Sequence, residues 1–264
     1  MHQPDPVALG QIVFVLMHTS HPGNVGAAAR AMKTMGLSDL RLVAPRFADV
    51  CEREEAIAFS SNAHDLLQNA RLFDSLAEAI ADVSLAVAVS AEPREFGPAP
   101  STPEEAAASA FDVLEASDAH RVAFVFGAER TGLSIASVQA CGLLTSIPGS
   151  PVYASLNLAQ AIQILAYVLR REAIARALKR SPDHDGPVSA APGDEPLVLA
   201  GHQAVEGFLD HFERALLVIG FLDPAHPKKL MPRLRRLFLR ARLSPEEVDL
   251  LRGISKLMER RPPG

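Results

Sequence analysis

The chain has 264 residues, with 26 Lys and Arg against 31 Asp and Glu, a net charge of -5, 48% hydrophobic residues and 22% charged ones. Such values belong to a folded protein with one large domain, or a medium and a small one, and exclude a globally disordered chain. Cys51 and Cys141 are too few for a disulfide framework or a four-cysteine zinc site; no apolar run nears the ~20 residues of a membrane span, and Met1 to Gly10 lacks a signal-peptide pattern, so a cytoplasmic protein is expected.

In chain order, Ile12–Met17 (IVFVLM) is a short apolar, β-branched run that predicts a buried strand. Val25–Met35 is rich in helix formers and stops before Gly36. Leu40–Ala44 predicts a second strand closed by Pro45. Ala56–Leu67 and Ser75–Ala81 predict helices, Leu85–Ser90 a strand, and Pro103–Glu115 a helix with proline in its first turn. Arg121–Phe126 and Leu143–Ile147 are two further strands, and a long amphipathic helix is expected over roughly Leu156–Arg180. Strands that are apolar throughout and alternate with helices predict a parallel α/β sheet covered on both faces. Ligands of such sheets bind in the loops at the carboxyl ends of the strands.

Three of those loops could carry chemistry. His21-Pro22-Gly23-Asn24-Val25-Gly26 leads into a helix with Arg30 one turn in. Free N–H groups at a helix start attract anions, and the two glycines would let a phosphate come close. Asn24 suits the N-cap, and Arg30 could add a forked contact to the same anion. A plain turn with a surface arginine explains the same residues. Gly127-Ala128-Glu129-Arg130-Thr131-Gly132 lacks the Gly-Lys-Ser/Thr ending of a phosphate-binding Walker loop, and no Gly-x-Gly-x-x-Gly is present. The third loop, Pro148 to Leu158, brings Ser155 and Asn157 to the start of the long helix, where Ser155 could simply be its cap. His18, His21, His184, His202 and His211 form no metal-ligand spacing among themselves or with the cysteines, so no metal is expected.

The net charge hides an asymmetry. Residues 1–223 sum to -12, and residues 224–264 sum to +7. Between the helices of the body and this basic end lies Ser181–Pro196, with four prolines, two glycines and four acids, which reads as a flexible linker. The expected division is therefore 1–180, a linker at 181–196, and a helical extension at 197–264, with helices at Leu197–Ile219, Leu230–Arg242 and Ser244–Arg260. The last opens with Ser-Pro-Glu-Glu, a capping box. A basic end on an acidic chain points to nucleic-acid contact, although a solvated helix face would look alike.

Taken in order, NVGAAARAM (Asn24–Met32), FVFGAERTGLS (Phe124–Ser134) and IPGSPVYASLNLAQA (Ile147–Ala161) resemble the three motifs of SpoU-type RNA ribose methyltransferases, members of the SPOUT superfamily. The resemblance is closer to the TrmJ branch, tRNA 2'-O-methyltransferases acting at position 32 of the anticodon loop, and extends to the tail segment from Gly220 to Ile254. It implies an α/β fold with a carboxyl-terminal trefoil knot, a homodimer, S-adenosylmethionine as methyl donor and tRNA as partner, cytidine or uridine being the nucleotide. It also implies catalytic roles for Asn24, Arg30, Glu129 and Ser155, with Arg30 touching RNA. Cofactor contacts would come from Ser90, Ala91, Gly127, Glu129, Ile147, Ser155, Leu156 and Asn157. The basic extension would hold RNA phosphates through Lys228, Lys229, Arg233, Arg235, Arg236 and Arg240, with the salt dependence such contacts carry. The segment Ser90–Glu95 departs from the family variants, and His18 stands where some relatives have an acid. A guanidinium stays protonated, so Arg30 is better suited to clamping a phosphate than to removing a proton.

Overall fold

The computed structural model describes residues 7–91, 94–150, 152, 156–180 and 198–260. Seven strands make one sheet: β1 (Ile12–Met17), β2 (Asp39–Val43), β3 (Arg71–Phe73), β4 (Leu85–Val89), β5 (Pro100–Ser101), β6 (Val122–Phe126) and β7 (Leu143–Thr145). Their order is β3-β2-β1-β6-β4-β7-β5, and every pairing between them is parallel. The expected parallel sheet is thus present, and the central strands β1 and β6 are buried along their whole length. Alternate residues of each feed two separate apolar layers. Ile12, Phe14, Leu16, Phe124 and Phe126 face one, and Val13, Val15, Ala123 and Val125 face the other. That double burial is the reason these strands show no polar alternation.

The helices of the body are α1 (Pro22–Thr34), α2 (Glu54–Ser60), α3 (His64–Gln68), α4 (Leu76–Ala79), α5 (Pro103–Ala116), α6 (Ile135–Gln139) and α7 (Leu158–Lys179). The single helix expected over Ala56–Leu67 is broken at Ser61, whose φ of 52° leaves the helical region, and a short 3-10 turn joins the halves. Strands β3 and β5 and helix α6 were not foreseen, since two to five residues carry no readable period. Helix α7 begins two residues later than expected. Its cap is Asn157, whose Oδ1 accepts from the Ala159 N–H at 2.9 Å, while Gln160 reaches back to the Asn157 N–H at 3.1 Å. The alternative cap, Ser155, and the linker at 181–196 lie outside the described residues.

The extension forms α8 (His202–Val218), α9 (Leu230–Ala241) and α10 (Pro245–Arg260). The expected capping box holds, with Ser244 and Glu247 exchanging hydrogen bonds of 3.2 and 2.8 Å. A small core of Val205, Phe208, Leu209, Leu243 and Val248 joins the segment, whereas α9 buries none of its residues. The root of α8 docks on the amino end of the sheet. The His202 N–H donates to the Val83 carbonyl at 2.8 Å, and the Leu199 N–H donates to His120 Nε2 at 3.1 Å. His120 Nδ1 in turn bonds the Val113 carbonyl at 2.7 Å, which fixes the ring in the Nδ1–H tautomer.

At the same amino edge, Arg41 on β2 is 1% exposed. Its guanidinium forks to Asp39 at 3.1 and 3.2 Å and to Asp82 at 2.9 Å, and Asp39 also pairs with Arg71 and Arg121. Burial raises the Asp39 pKa, but Arg41 and Arg71 outweigh it and hold the carboxyl below its usual range; the Arg41 hydrogen bond does the same for Asp82. Removing one partner of a buried ion group leaves uncompensated charge, at a cost of about 3–5 kcal/mol. Arg41→Met is therefore expected to lower the thermal midpoint by about 10 °C, at ~2–4 °C per kcal/mol for a chain of this size. In acid titration, the stability from Asp39 and Asp82 should be complete above the ordinary aspartate pKa of 3.8 and vanish as pH falls through their lowered values. An unchanged midpoint in Arg41→Met would contradict this.

Candidate active site

The loops after β1, β4, β6 and β7 meet at the carboxyl end of the sheet, opposite the arginine cluster. Proline fixes the start of α1. Pro22 sits in the first turn and His21 is the N-cap, so Asn24 is a helical residue rather than the cap expected of it. The freed side chain points elsewhere: Asn24 Nδ2 donates to Glu129 Oε1 at 3.0 Å.

Glu129 lies in the loop after β6, which doubles back so that the Gly132 N–H bonds the Ala128 carbonyl at 2.9 Å. A Cβ on Gly127 would stand 2.1 Å from the Gly132 carbonyl carbon, so no side chain fits there. The hairpin-like return aims the Glu129 carboxylate at the start of α1, where it accepts from the Ser20 N–H at 3.1 Å, the Ser20 hydroxyl at 3.0 Å and the His21 N–H at 3.3 Å. Burial pushes the Glu129 pKa up, but these donors, with Asn24 foremost, more than offset it and hold the group below the usual carboxylate range. Glu129 is thus ionised at neutral pH.

This arrangement corrects the expectation of an external phosphate at the start of α1. The anion there is the protein's own carboxylate. Nor do the two glycines open the backbone to a ligand. A Cβ on Gly26 would lie 2.1 Å from the Ala56 carbonyl oxygen, so Gly26 serves the close packing of α1 on α2, and the space beside Gly23 is taken by the Glu55 carboxylate, 2.6 Å from where a Cβ would stand.

The network continues to the third loop. Asn157 Nδ2 donates to Asn24 Oδ1 at 3.2 Å, so Asn24 ties Glu129 on one side to the cap of α7 on the other. Beside this chain of amides lies a cleft of about 440 Å³, within the usual range for small-molecule sites. Of the residues expected at a cofactor, Ser90, Ala91, Gly127, Glu129, Ile147 and Leu156 line it, while Asn157 is not in the lining and bonds Asn24 instead. Ser155 lies outside the described residues, as do Glu92 and Pro93 of the departing segment. Arg94, Phe126, Arg130, Thr131 and Leu158 also line the cleft and were not singled out. Arg94, Arg130 and Thr131 fall inside loops already suspected, but which loop residues face inward is decided by the fold.

Arg30 is exposed on α1 and makes no hydrogen bond or ion pair among the described residues. It is not held by Glu129, which grips backbone and Asn24 instead. In the extension, Lys229 pairs with Glu95 at 2.5 Å, Arg235 pairs with Glu206, and Arg233 stacks over the Phe96 ring at 5.5 Å. Lys228, Arg236 and Arg240 are exposed. Among the described residues no group of His, Cys, Asp and Glu could hold a metal ion. Burial pushes the Cys141 thiol up to about 12 and, as the larger cause, the Cys51 thiol up to about 11.

Exchanging Glu129 for Gln should keep the size and lose the charge. The expected cost is about 1–2 kcal/mol from weaker bonds to Ser20, His21 and Asn24. The wild-type contribution should persist above the ordinary pKa of 4.5 and disappear as pH falls through the lowered one. Urea unfolding of both proteins at pH 7 and pH 3.5 checks this: the gap should be open at the first and narrow at the second.

Against known proteins, the sequence pattern of the SpoU rRNA Methylase family matches residues 11–167, and that of the tRNA methyltransferase TrmJ C-terminal domain matches residues 203–263. The tRNA (cytidine/uridine-2'-O-)-methyltransferase TrmJ of Pectobacterium atrosepticum is 41% identical over 93% of this chain and 95% of its own. The tRNA (cytidine/uridine/adenosine-2'-O-)-methyltransferase TrmJ of Pseudomonas aeruginosa is 42% identical over 93% of each chain. The crystal structure of TrmJ from Z. mobilis superposes with a TM-score of 0.75 at 30% identity, covering 94% of this chain and 99% of that one. With two family patterns in the order expected and relatives aligned nearly end to end, the chain belongs to the SpoU methylase family, in its TrmJ branch.

Proposed function

We propose that the protein transfers a methyl group from S-adenosylmethionine to the ribose 2'-hydroxyl of the pyrimidine at position 32 in the tRNA anticodon loop. The observation that carries this reading is the cleft at the carboxyl ends of β4, β6 and β7, bordered by the Glu129–Asn24–Asn157 chain; the helix that carries Asn24 also carries Arg30, exposed and unpaired among the described residues. Activity on tRNA riboses is supported by the names of relatives above 40% identity, and position 32 by the resemblance of the tail. A ribosomal RNA, or another tRNA nucleotide, is the alternative; the match to the TrmJ C-terminal domain favours the first reading.

The residues present suit the cofactor. Ile147, Leu156 and Leu158 give the cleft an apolar wall for a purine, and ionised Glu129 adds negative charge to a site for a cationic group. S-adenosylmethionine supplies, when bound, a methyl on a sulfonium, electrophilic enough to need no metal. The protein's part is alignment. Glu129 fixes the Ser20–Asn24 turn and Asn24 passes that constraint to the cap of α7, while the exposed Arg30 further along α1 offers a fork that can hold the phosphate beside the reacting ribose.

The reading includes a homodimer in the cytoplasm, a catalytic domain over 1–180, a linker over 181–196 and an RNA-holding extension over 197–264. The family patterns end at 167 and resume at 203, which supports that division. The trefoil knot is also part of it, supported by a sheet in which β4 lies between β6 and β7, both later in the chain.

Arg30→Ala should lower kcat/KM for tRNA by about 100-fold, an effect of ~2.7 kcal/mol, and leave S-adenosylmethionine affinity within twofold. Arg30→Lys should recover little, because a point charge lacks the fork. Near-full turnover in Arg30→Lys would remove the clamp. Mapping ribose methylation in tRNA from cells with and without the protein tests the nucleotide: loss confined to position 32 is expected, and loss elsewhere would favour the alternative.

A further inference from the structure

Beyond the cleft, a second cavity of about 240 Å³ opens where α9 lies against the body. Its floor is apolar, formed by Pro98, Ala99, Leu143 and Leu239, and Arg236 and Arg240 stand at its rim. Both arginines are exposed and make no ion pair among the described residues. The wall is built from an unusual piece of backbone. Phe96 has a φ of 57°, a conformation that a bulky residue keeps only when its surroundings enforce it. Here Lys229 and Arg233 sit over the Phe96 ring at 5.3 and 5.5 Å, Lys229 pairs with Glu95, and Gln139 Nε2 bonds the Glu95 carbonyl at 2.8 Å. The same short segment serves both cavities. Arg94 lines the reaction cleft, and Phe96, Pro98 and Ala99 line the second one.

An apolar slot the size of a flat ring, rimmed by two unpaired guanidinium groups, has the chemistry that takes an unstacked nucleotide: the base enters the slot and the arginines hold its phosphates. We infer that the cavity between α9 and residues 96–99 binds a second, unmethylated nucleotide of the RNA substrate, splayed from its neighbours. The inference rests on the RNA reading above and adds to it a contact that depends on shape as well as charge. It makes the extension a gauge of loop conformation: an RNA whose nucleotide cannot leave the stack would lose this contact while keeping its phosphate contacts.

Shape and charge separate in one experiment on the full-length chain. Ala99→Trp fills the slot from an exposed loop position and leaves the charge unchanged; Arg240→Gln removes one rim cation. Binding of an unmodified tRNA transcript is measured for each against salt, with S-adenosylmethionine affinity as the check on folding. For Ala99→Trp the expected result is at least tenfold weaker tRNA binding, an unchanged slope of log affinity against log salt, and normal cofactor affinity. For Arg240→Gln the slope should fall by about 1. Wild-type tRNA affinity in Ala99→Trp overturns the nucleotide slot even if Arg240→Gln behaves as expected, since the arginine would then be a plain phosphate contact. A wild-type chain that binds the cofactor but no tRNA overturns the RNA reading itself.

Discussion

A single carboxylate holds the reaction end of this protein together. Glu129 is half-buried, ionised, and shared between two backbone N–H groups, a serine hydroxyl and the Asn24 amide, all on the turn that starts α1. Its donors come from a point more than 100 residues earlier in the chain, so it staples the loop after β6 to the loop after β1. Because a helix start favours negative charge, the attraction is reinforced by the α1 dipole. Asn24 then hands the constraint to Asn157, whose other contacts begin α7. The start of α1, the loop after β6 and the cap of α7 are thereby tied to one another beside the cleft.

The two ends of the sheet divide the labour. At the amino end, Arg41 draws Asp39 and Asp82 together beneath the strands, and the root of the extension docks beside them through Val83 and His120. Nothing at that end faces the cleft, so its charges are free to serve stability. At the carboxyl end, Glu129 is built into the cleft wall, Arg94 and Arg130 line the same cleft, and Lys229 and Arg233 of the extension lie on the segment that leaves it. The -5 of the whole chain is an average over these separate tasks. Residues 1–223 sum to -12 and residues 224–264 to +7, and no net figure shows this.

Much of the site was legible in the sequence because its loops carry residue types with few other uses. Gly127 marks a place where the Gly132 backbone packs so close that a Cβ would stand 2.1 Å from its carbonyl carbon, and nearby Glu129 is a carboxylate in a strand-end turn. The six cleft-lining residues Ser90, Ala91, Gly127, Glu129, Ile147 and Leu156 were all singled out through strand ends and motif order. What failed were inferences from local rules alone. Asn24 looked like an N-cap, but Pro22 begins the helix two residues earlier. Gly23 and Gly26 looked like an anion cradle, but they face α2, a partner some thirty residues away.

By itself the sequence determined the layered parallel sheet, since strands apolar on both faces can only lie between two covering layers. It determined the basic helix α9 and the capped start of α10 in the extension and, through motifs in order, the family. Only the tertiary structure decided what each polar group does. Whether Glu129 meets a ligand or the start of α1, whether Lys229 is free or paired with Glu95, and which side of residues 94–99 faces which cavity all depend on contacts between distant segments. Local spacing cannot encode these, because a side chain's partner is set by where the fold brings the backbone, and the energy of a charge or an amide is fixed by that partner and its burial.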